Sequence, residues 1–116
     1  MPVFDKKVMM ARFMNDEELA TKVVQVFLED LPRQLDRLQK HLDSGDADTA
    51  CRIIHSIKGA SVNVEGNELA TIAAAAEEDA RKGILGAVQG HMPAMDLAYH
   101  KLRQALIQAF SIKDIP

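Results

Sequence analysis

Apolar residues recur every three or four positions along most of this chain, in four long segments separated by short turns. This spacing puts the apolar side chains of each segment on one face of an α-helix, whereas a half-buried strand requires strict alternation. Alanine is abundant and runs of β-branched residues are short, so no segment predicts a convincing strand. The pattern predicts an all-α fold, an up-down antiparallel four-helix bundle.

The periodic segments and their capping residues set the predicted helix boundaries. A short helix over 5–14 covers the bundle, whose helices span 16–43, 47–64, 68–82 and a last segment within 84–112. Asn15 is the predicted N-cap of the first bundle helix, because Glu18 three residues later completes a capping box. Pro32 interrupts this helix, but the apolar period continues past it, so we expect a kink there and not a stop. Its predicted buried stripe is Leu19, Val23, Val26, Phe27, Leu31, Leu35, Leu38 and Leu42.

Turn-forming residues mark the connections between the bundle helices. The predicted turns are Ser44-Gly45-Asp46, Gly66-Asn67 and Gly83. Gly86, Gly90 and Pro93 follow soon after the third turn, and we expect them to break up the first part of the last helix.

Length, charge and cysteine content exclude several classes of protein. The 116 residues fit one domain over 1–116, and the net charge of −3 without a basic block argues against nucleic-acid binding. A single cysteine, Cys51, excludes an internal disulfide and zinc clusters of paired cysteines. The segment from Met1 to Phe13 has no apolar run long enough for the core of a signal peptide, and no stretch approaches the roughly 20 apolar residues of a membrane span. We therefore expect a soluble, cytoplasmic monomer that binds no membrane. Met1 without a linker before Phe4 slightly favours a free-standing protein, and a domain of a larger hybrid kinase is the alternative that stays open.

Sequence motifs for bound cofactors are also missing. A P-loop or dinucleotide-binding loop is absent, which argues against an ATP-binding enzyme. A di-metal site in a helical bundle needs Glu-x-x-His, and a c-type haem needs Cys-x-x-Cys-His; neither occurs. We expect no cofactor and no metal site. The histidines without distinctive neighbours, which we assign to surface or packing roles, are His41, His91 and His100.

The predicted helix over 47–64 contains the one segment that indicates chemistry. Its apolar stripe is Ala50, Ile53, Ile54, Ile57, Ala60, Ser61 and Val64. His55 points roughly 150° away from the centre of this stripe, toward solvent. Lys58 lies one turn later within reach of it, and Gly59 lies on the same outer face although a glycine inside a helix costs about 1 kcal/mol. An exposed imidazole is a nucleophile near neutral pH, the lysine can neutralise an anion formed on it, and the glycine leaves room for another molecule.

These residues resemble the histidine phosphotransfer (HPt) domains of bacterial phosphorelays over nearly the whole chain. The matching residues are His55-Ser56-Ile57-Lys58-Gly59, then Ser61, Val62, Asn63, Leu69-Ala70 and Glu77 to Gly83, together with the stretch from Phe27 to Pro32 and Gly45-Asp46. In one place the chain departs from the family pattern. Val64-Glu65-Gly66 brings the turn glycine one residue late, which leaves the shape of this turn open.

The resemblance implies a carrier without kinase activity of its own. His55 would accept a phosphoryl group from a receiver-domain aspartate, or from a histidine kinase, and pass it to a response-regulator receiver. Lys58 would balance the phosphate charge, Gly59 would admit the receiver, and the Mg²⁺ would belong to the receiver. Glu77 stands where the family often has a polar residue that orients the histidine, and the alternative is a solvated glutamate in an acidic run.

The surface beside His55 is expected to include Val62, Ala70 and Ala74, small side chains that offer a smooth docking surface. The same alanines also fit helix propensity alone. The rival to a phosphorelay role is an adaptor bundle that binds a partner without chemistry and does not need His55.

Overall fold

The computed structural model describes residues 5–112, and within that range all regular structure is helical. Helix α1 spans Lys6–Arg12, α2 Glu17–Asp43, α3 Ala47–Asn63, α4 Asn67–Arg81 and α5 Leu85–Phe110. The prediction of an all-α fold is confirmed, and each helix lies close to its predicted position.

Helices α2 to α5 form the four-helix bundle, in which each helix packs against the next and α5 returns to α2. Short turns join these helices and make neighbours antiparallel, as predicted. Helix α1 covers one end of the bundle through the fully buried Met9. Lys6 donates a hydrogen bond of 2.9 Å to the Ala109 carbonyl, and Arg12 forms an ion pair with Glu65 in the α3–α4 turn. The covering helix is therefore tied to two other parts of the fold.

The buried face of α2 differs from the predicted stripe at its N-terminal end. Its buried residues are Ala20, Val24, Phe27, Leu31, Leu35, Leu38 and Leu42. The prediction was wrong for Leu19 and Val26, whose side chains are exposed, and Val23 is only partly buried. The leucines in the second half of α2 determine which face of the helix packs against the core. At the N-terminal end of α2, that same face carries the smaller Ala20 and Val24.

The N-cap of α2 is Asp16 and not Asn15. The Asp16 carboxylate accepts a hydrogen bond of 3.0 Å from the Leu19 backbone N–H. Asn15 has a left-handed φ of 58°, and its N–H bonds back to the Met10 carbonyl at the end of α1. An N-cap needs an extended backbone, so the capping box predicted between Asn15 and Glu18 is wrong.

The first part of α5 is an unbroken helix, contrary to the prediction from Gly86, Gly90 and Pro93. Val88 and Met95 are fully buried, and their packing against the core outweighs the low helix propensity of the glycines. Helix α2 likewise continues through Pro32, which confirms that the chain does not stop there; the kink stays a prediction.

The α3–α4 turn explains the late glycine of the sequence. Glu65 takes the left-handed conformation with a φ of 56°, while Gly66 has an ordinary φ of −81° and is the N-cap of α4. The Gly66 N–H donates to the Ser61 carbonyl at 2.8 Å, which closes α3. A Cβ on Gly66 would lie 2.5 Å from Leu102 Cδ2 and 3.3 Å from the Ser61 oxygen. Glycine is therefore needed at position 66 for close packing against α5. The ion pair with Arg12 stabilises Glu65 in its left-handed conformation.

The two helix-associated glycines should respond oppositely to alanine. Gly66→Ala should lower the free energy of unfolding by about 1–3 kcal/mol, since the buried Leu102 and the Ser61 carbonyl leave no room for a methyl group. Gly59→Ala is the matched control and should be neutral or stabilising, because nothing lies within 4 Å of its added Cβ. Urea unfolding of both variants measures the difference. Equal effects at the two positions would contradict this account of the turn.

Candidate functional site

His55 lies in the middle of α3 and faces away from the bundle core. Its neighbours Ile54 and Ile57 are fully buried, whereas 69% of the His55 side chain is exposed. The helical spacing of the apolar residues produces this orientation, as the sequence predicts. The imidazole is therefore accessible to a second protein.

Glu77 of α4 lies beneath His55 and holds it in place. The Glu77 side chain is buried, with 4% of the residue exposed, and its Oε2 lies 2.8 Å from His55 Nδ1. A carboxylate only accepts hydrogen bonds, so His55 carries its proton on Nδ1 and leaves the Nε2 lone pair free. The geometry favours an orienting role for Glu77, and burial excludes the alternative of a solvated glutamate.

Lys58 is bound to the same carboxylate. Its Nζ donates to Glu77 Oε1 at 2.5 Å, so Lys58 and His55 are joined through Glu77. This ammonium, and with it the His55 ring, holds the pKa of the Glu77 carboxyl below its usual value, although burial acts in the opposite direction. Glu77 consequently stays ionised at neutral pH. The Lys58 charge is therefore paired within the chain, a feature that its position one turn from His55 did not reveal.

Arg81 is a member of the site that the sequence analysis missed. Its guanidinium Nη2 lies 3.4 Å from Glu77 Oε2, and its Nη1 donates to Glu78 at 2.9 Å. The available signal was its position four residues after Glu77 on the same helix face. The buried carboxylate thus has three basic partners.

Gly59 lies at open surface one turn beyond His55. A Cβ added there would meet no heavy atom within 4 Å, so packing inside the described chain does not require glycine. Val62 and Ala74 are also exposed, as the docking surface predicted from the sequence requires. Ala70 is not part of that surface, since only 9% of it is exposed. Ala70 lies two turns before Glu77, on the face of α4 that packs inward. The sequence pattern had wrongly predicted that Ala70 lies on the exposed face.

Helix α2 contributes apolar surface on the other flank of α3. A groove of about 150 Å³ between the two helices is lined by Val23, Val26 and Phe27 of α2 and by Ala60 and Asn63 of α3. Val26, which the sequence analysis assigned to the core, is one of its exposed walls. Exposed apolar side chains of α2, and not Ala70 of α4, therefore contribute to the accessible apolar surface near Gly59.

The remaining histidines each face a single carboxylate, at 3.3 Å for His41 and Asp46, 2.9 Å for His91 and Asp79, and 3.6 Å for His100 and Asp96. They have no neighbouring glycine and lysine arranged as around His55.

Within residues 5–112 no group of histidine, cysteine and acidic side chains could hold a metal ion. No helix in the same range is long and apolar enough to cross a membrane.

Known proteins share the fold of this chain. A family model described as the Hpt domain matches residues 22–109. The crystal structure of histidine-containing phosphotransfer protein B from Pseudomonas aeruginosa is similar at a TM-score of 0.87 and 26% identity, covering 97% of this chain and 98% of that chain. The HPT domain of a sensor hybrid histidine kinase from Shewanella has the same fold, at a TM-score of 0.80, 17% identity and 97% coverage of each chain. No curated protein matches the chain significantly in sequence.

The lowered pKa of Glu77 predicts a specific pH dependence of stability. Because the folded pKa lies below the ordinary value of 4.5, the contribution of Glu77 is fully present above that pH and is lost as the pH falls through the folded pKa. Glu77→Gln should therefore be less stable than the wild type near pH 7, and the difference should shrink below about pH 4.5. Urea unfolding between about pH 3 and pH 7 measures it.

Glu78→Gln is the matched control for this experiment, since it makes the same substitution at a carboxylate with 54% of its side chain exposed. It should change stability little over the whole range. A Glu77→Gln difference that stays constant on acidification would show that the ion pairs of Glu77 do not stabilise the fold.

Proposed function

Because the chain belongs to the Hpt domain family, we propose that His55 is the residue on which it carries a phosphoryl group. Hpt domains are phosphotransfer carriers that interact with receiver domains and histidine kinases in phosphorelays, and this protein acts in histidine phosphotransfer. The observation that carries the assignment to His55 is its exposed ring with Nδ1 held by the buried Glu77 carboxylate. No other histidine in the described range has such a partner together with an adjacent lysine and glycine.

The geometry of His55 supports in-line transfer from an aspartyl phosphate of a receiver domain. The Nε2 lone pair attacks phosphorus, an N–P bond forms, and the P–O bond to the aspartate breaks with the electron pair leaving on the carboxylate. The ring keeps its Nδ1 proton and becomes cationic, and the Glu77 carboxylate 2.8 Å away stabilises that charge. The reverse sequence passes the phosphoryl group to the next receiver.

Lys58 and Arg81 supply positive charge beside the transferred group. In the resting protein both contact Glu77, which keeps them within one side-chain length of His55. When a phosphoryl group is bound, the flexible Lys58 ammonium can turn from Glu77 Oε1 to a phosphoryl oxygen. Glu77 then remains paired with the imidazolium and with Arg81. We assign Lys58 the role of charge balance on this basis.

The chain contributes positioning and charge, which are the main requirements of phosphoryl transfer. We propose that it has no kinase or ATP-binding activity, no cofactor and no metal of its own, and that the Mg²⁺ of the reaction belongs to the receiver. The donor is a receiver aspartate or, alternatively, a histidine kinase. The proposed form is a cytoplasmic monomer, since one chain contains the complete His55 site and the ATP that charges such kinases is inside the cell.

Phosphorylation should occur at His55 alone. Incubation with a phosphorylated receiver domain and Mg²⁺ should give an acid-labile, alkali-stable label that is lost in His55→Gln. His100→Gln is the control, because His100 is similarly exposed at 61% and also faces a carboxylate. It should be labelled like the wild type. Labelling that persists in His55→Gln would disprove the assignment, and binding of a receiver without any labelling would favour the adaptor function.

Gly59→Gln should separate docking from folding. The substitution should leave the fold unchanged or stabilise it by up to about 1 kcal/mol, because the site is open and glutamine has the higher helix propensity. Transfer should fall sharply, since a displacement of ~1 Å from in-line geometry can cost ~100-fold in rate. Gly59→Ala, which adds one methyl group, should lose much less.

A thermal melt and a rapid-quench transfer assay on each Gly59 variant test this prediction. A destabilised Gly59→Gln protein that transfers at the wild-type rate would show that Gly59 serves the fold and not the partner.

A further inference from the structure

A second charged region lies beside His55, on the flank opposite Glu77. A cleft of about 390 Å³ opens between α2 and α3, and it is lined by Arg37 of α2 and by Arg52 and Ser56 of α3. Arg52 precedes His55 by three residues, which places it about 4.5 Å away along the helix axis on the exposed side. The cleft and the reactive ring therefore lie on one continuous surface.

The arginines of this cleft lack charged partners within the described chain. Arg52 donates to the neutral Thr49 hydroxyl at 3.2 Å, and Arg37 forms no ion pair among residues 5–112. The carboxylate in the cleft lining is Asp30, which accepts a hydrogen bond from the Gln34 amide. Two guanidinium groups against one carboxylate leave the cleft positive, although the whole chain carries a net charge of −3.

Gln34 shows that the cleft is also incomplete in hydrogen bonding. Its Oε1 is buried and has no donor among the described residues. A buried acceptor is normally paired in a finished structure. The cleft thus offers its two guanidinium groups to an incoming surface, whereas the Gln34 oxygen lies below that surface.

We propose that Arg37 and Arg52 form a docking site for acidic side chains of the receiver domain that exchanges phosphoryl groups with His55. This inference rests on the proposed function of His55. A protein that reaches His55 also covers this cleft, because Arg52 lies one turn before His55 on the same exposed side of α3. The two guanidinium groups would then be buried without charged partners unless the docked surface supplies carboxylates. A guanidinium fork matches a carboxylate with two parallel hydrogen bonds, and opposite charges speed the encounter of two proteins.

The position of the cleft also determines how the receiver is oriented. The arginines flank the N-terminal half of α3, whereas the apolar groove of Val26 and Ala60 flanks its C-terminal half. A receiver docked the other way round would place its acidic side chains over the apolar groove and leave the arginines unpaired. Arg37 and Arg52 therefore select partners whose acidic and apolar contacts lie in the matching order.

The test reverses both charges in the variant Arg37→Glu/Arg52→Glu. The probe is the phosphorylated receiver domain from the same genome that charges the wild-type chain fastest, in Mg²⁺ buffer. Rapid-quench transfer at low ionic strength should show kcat/KM at least about 10-fold lower, with the rate at saturating receiver nearly unchanged. The salt dependence of kcat/KM should flatten. A receiver with an acidic contact residue changed to lysine should recover part of the loss.

Lys101→Glu is the matched control, since it makes the same change of charge on α5, where Lys101 pairs with Glu68 at 3.1 Å. Its kcat/KM should remain within about twofold of the wild-type value, because α5 lies across the bundle from α3. A double variant that behaves like this control would overturn the proposal.

Phosphoramidate, a small donor without a protein surface, separates docking from the chemistry of His55. It should label His55 equally in the wild type and in the double variant. Equal losses with phosphoramidate and with the receiver would overturn the proposal, because the arginines would then act on the phosphoryl group itself. If phosphoramidate labels wild-type His55 but no receiver does, the proposed relay function fails, and the docking site fails with it.

Discussion

The buried carboxylate of Glu77 is the interaction on which the arrangement of the site depends. An unpaired charge buried between two helices would be strongly destabilising, so Glu77 requires basic partners. His55 and Lys58 provide them from α3, and these two contacts link the two helices around the site. Arg81 adds a third partner from α4 itself. The same contacts fix the His55 tautomer. A single requirement, the pairing of one buried charge, thus connects the packing of α3 against α4 with the nucleophilicity of an exposed ring.

The sequence was sufficient for features that are encoded within one helix. Lys58 and Gly59 lie about one turn after His55 on α3, and helical spacing alone predicts that all three lie outside the core. The state of Glu77 could not be predicted in this way, because it depends on how α4 is rotated against α3. The same limit applies to Ala70 on α4 and to Val26 on α2, which a helical pattern placed on the wrong side of the boundary between core and surface.

Turns and helix interiors show a second limit of the sequence. Gly86, Gly90 and Pro93 predicted a broken helix from local propensity, but burial of Val88 outweighs that propensity. In the α3–α4 turn, a glutamate occupies the left-handed position because Arg12 of the covering helix pairs with it, and the glycine is used one residue later against Leu102. These outcomes follow from contacts between segments far apart in sequence, so a local pattern does not contain them.

The charged side chains on the two sides of His55 differ in their partners. Those on the α4 side form ion pairs with Glu77, whereas the arginines on the α2 side have no charged partner in the described chain, so the two sides have different roles. On the α4 flank, the buried Glu77 pairs with Lys58 and Arg81 and is shielded from salt, so this flank holds the His55 ring in the same way at low and at high ionic strength. On the α2 flank, Arg37 and Arg52 are exposed, and their attraction for a partner weakens as the ionic strength rises. Substitutions in the α2 cleft can therefore change which receiver binds without altering the nucleophile. A carrier that must exchange phosphoryl groups with more than one receiver requires this separation, because the reactive ring has to remain the same for every partner.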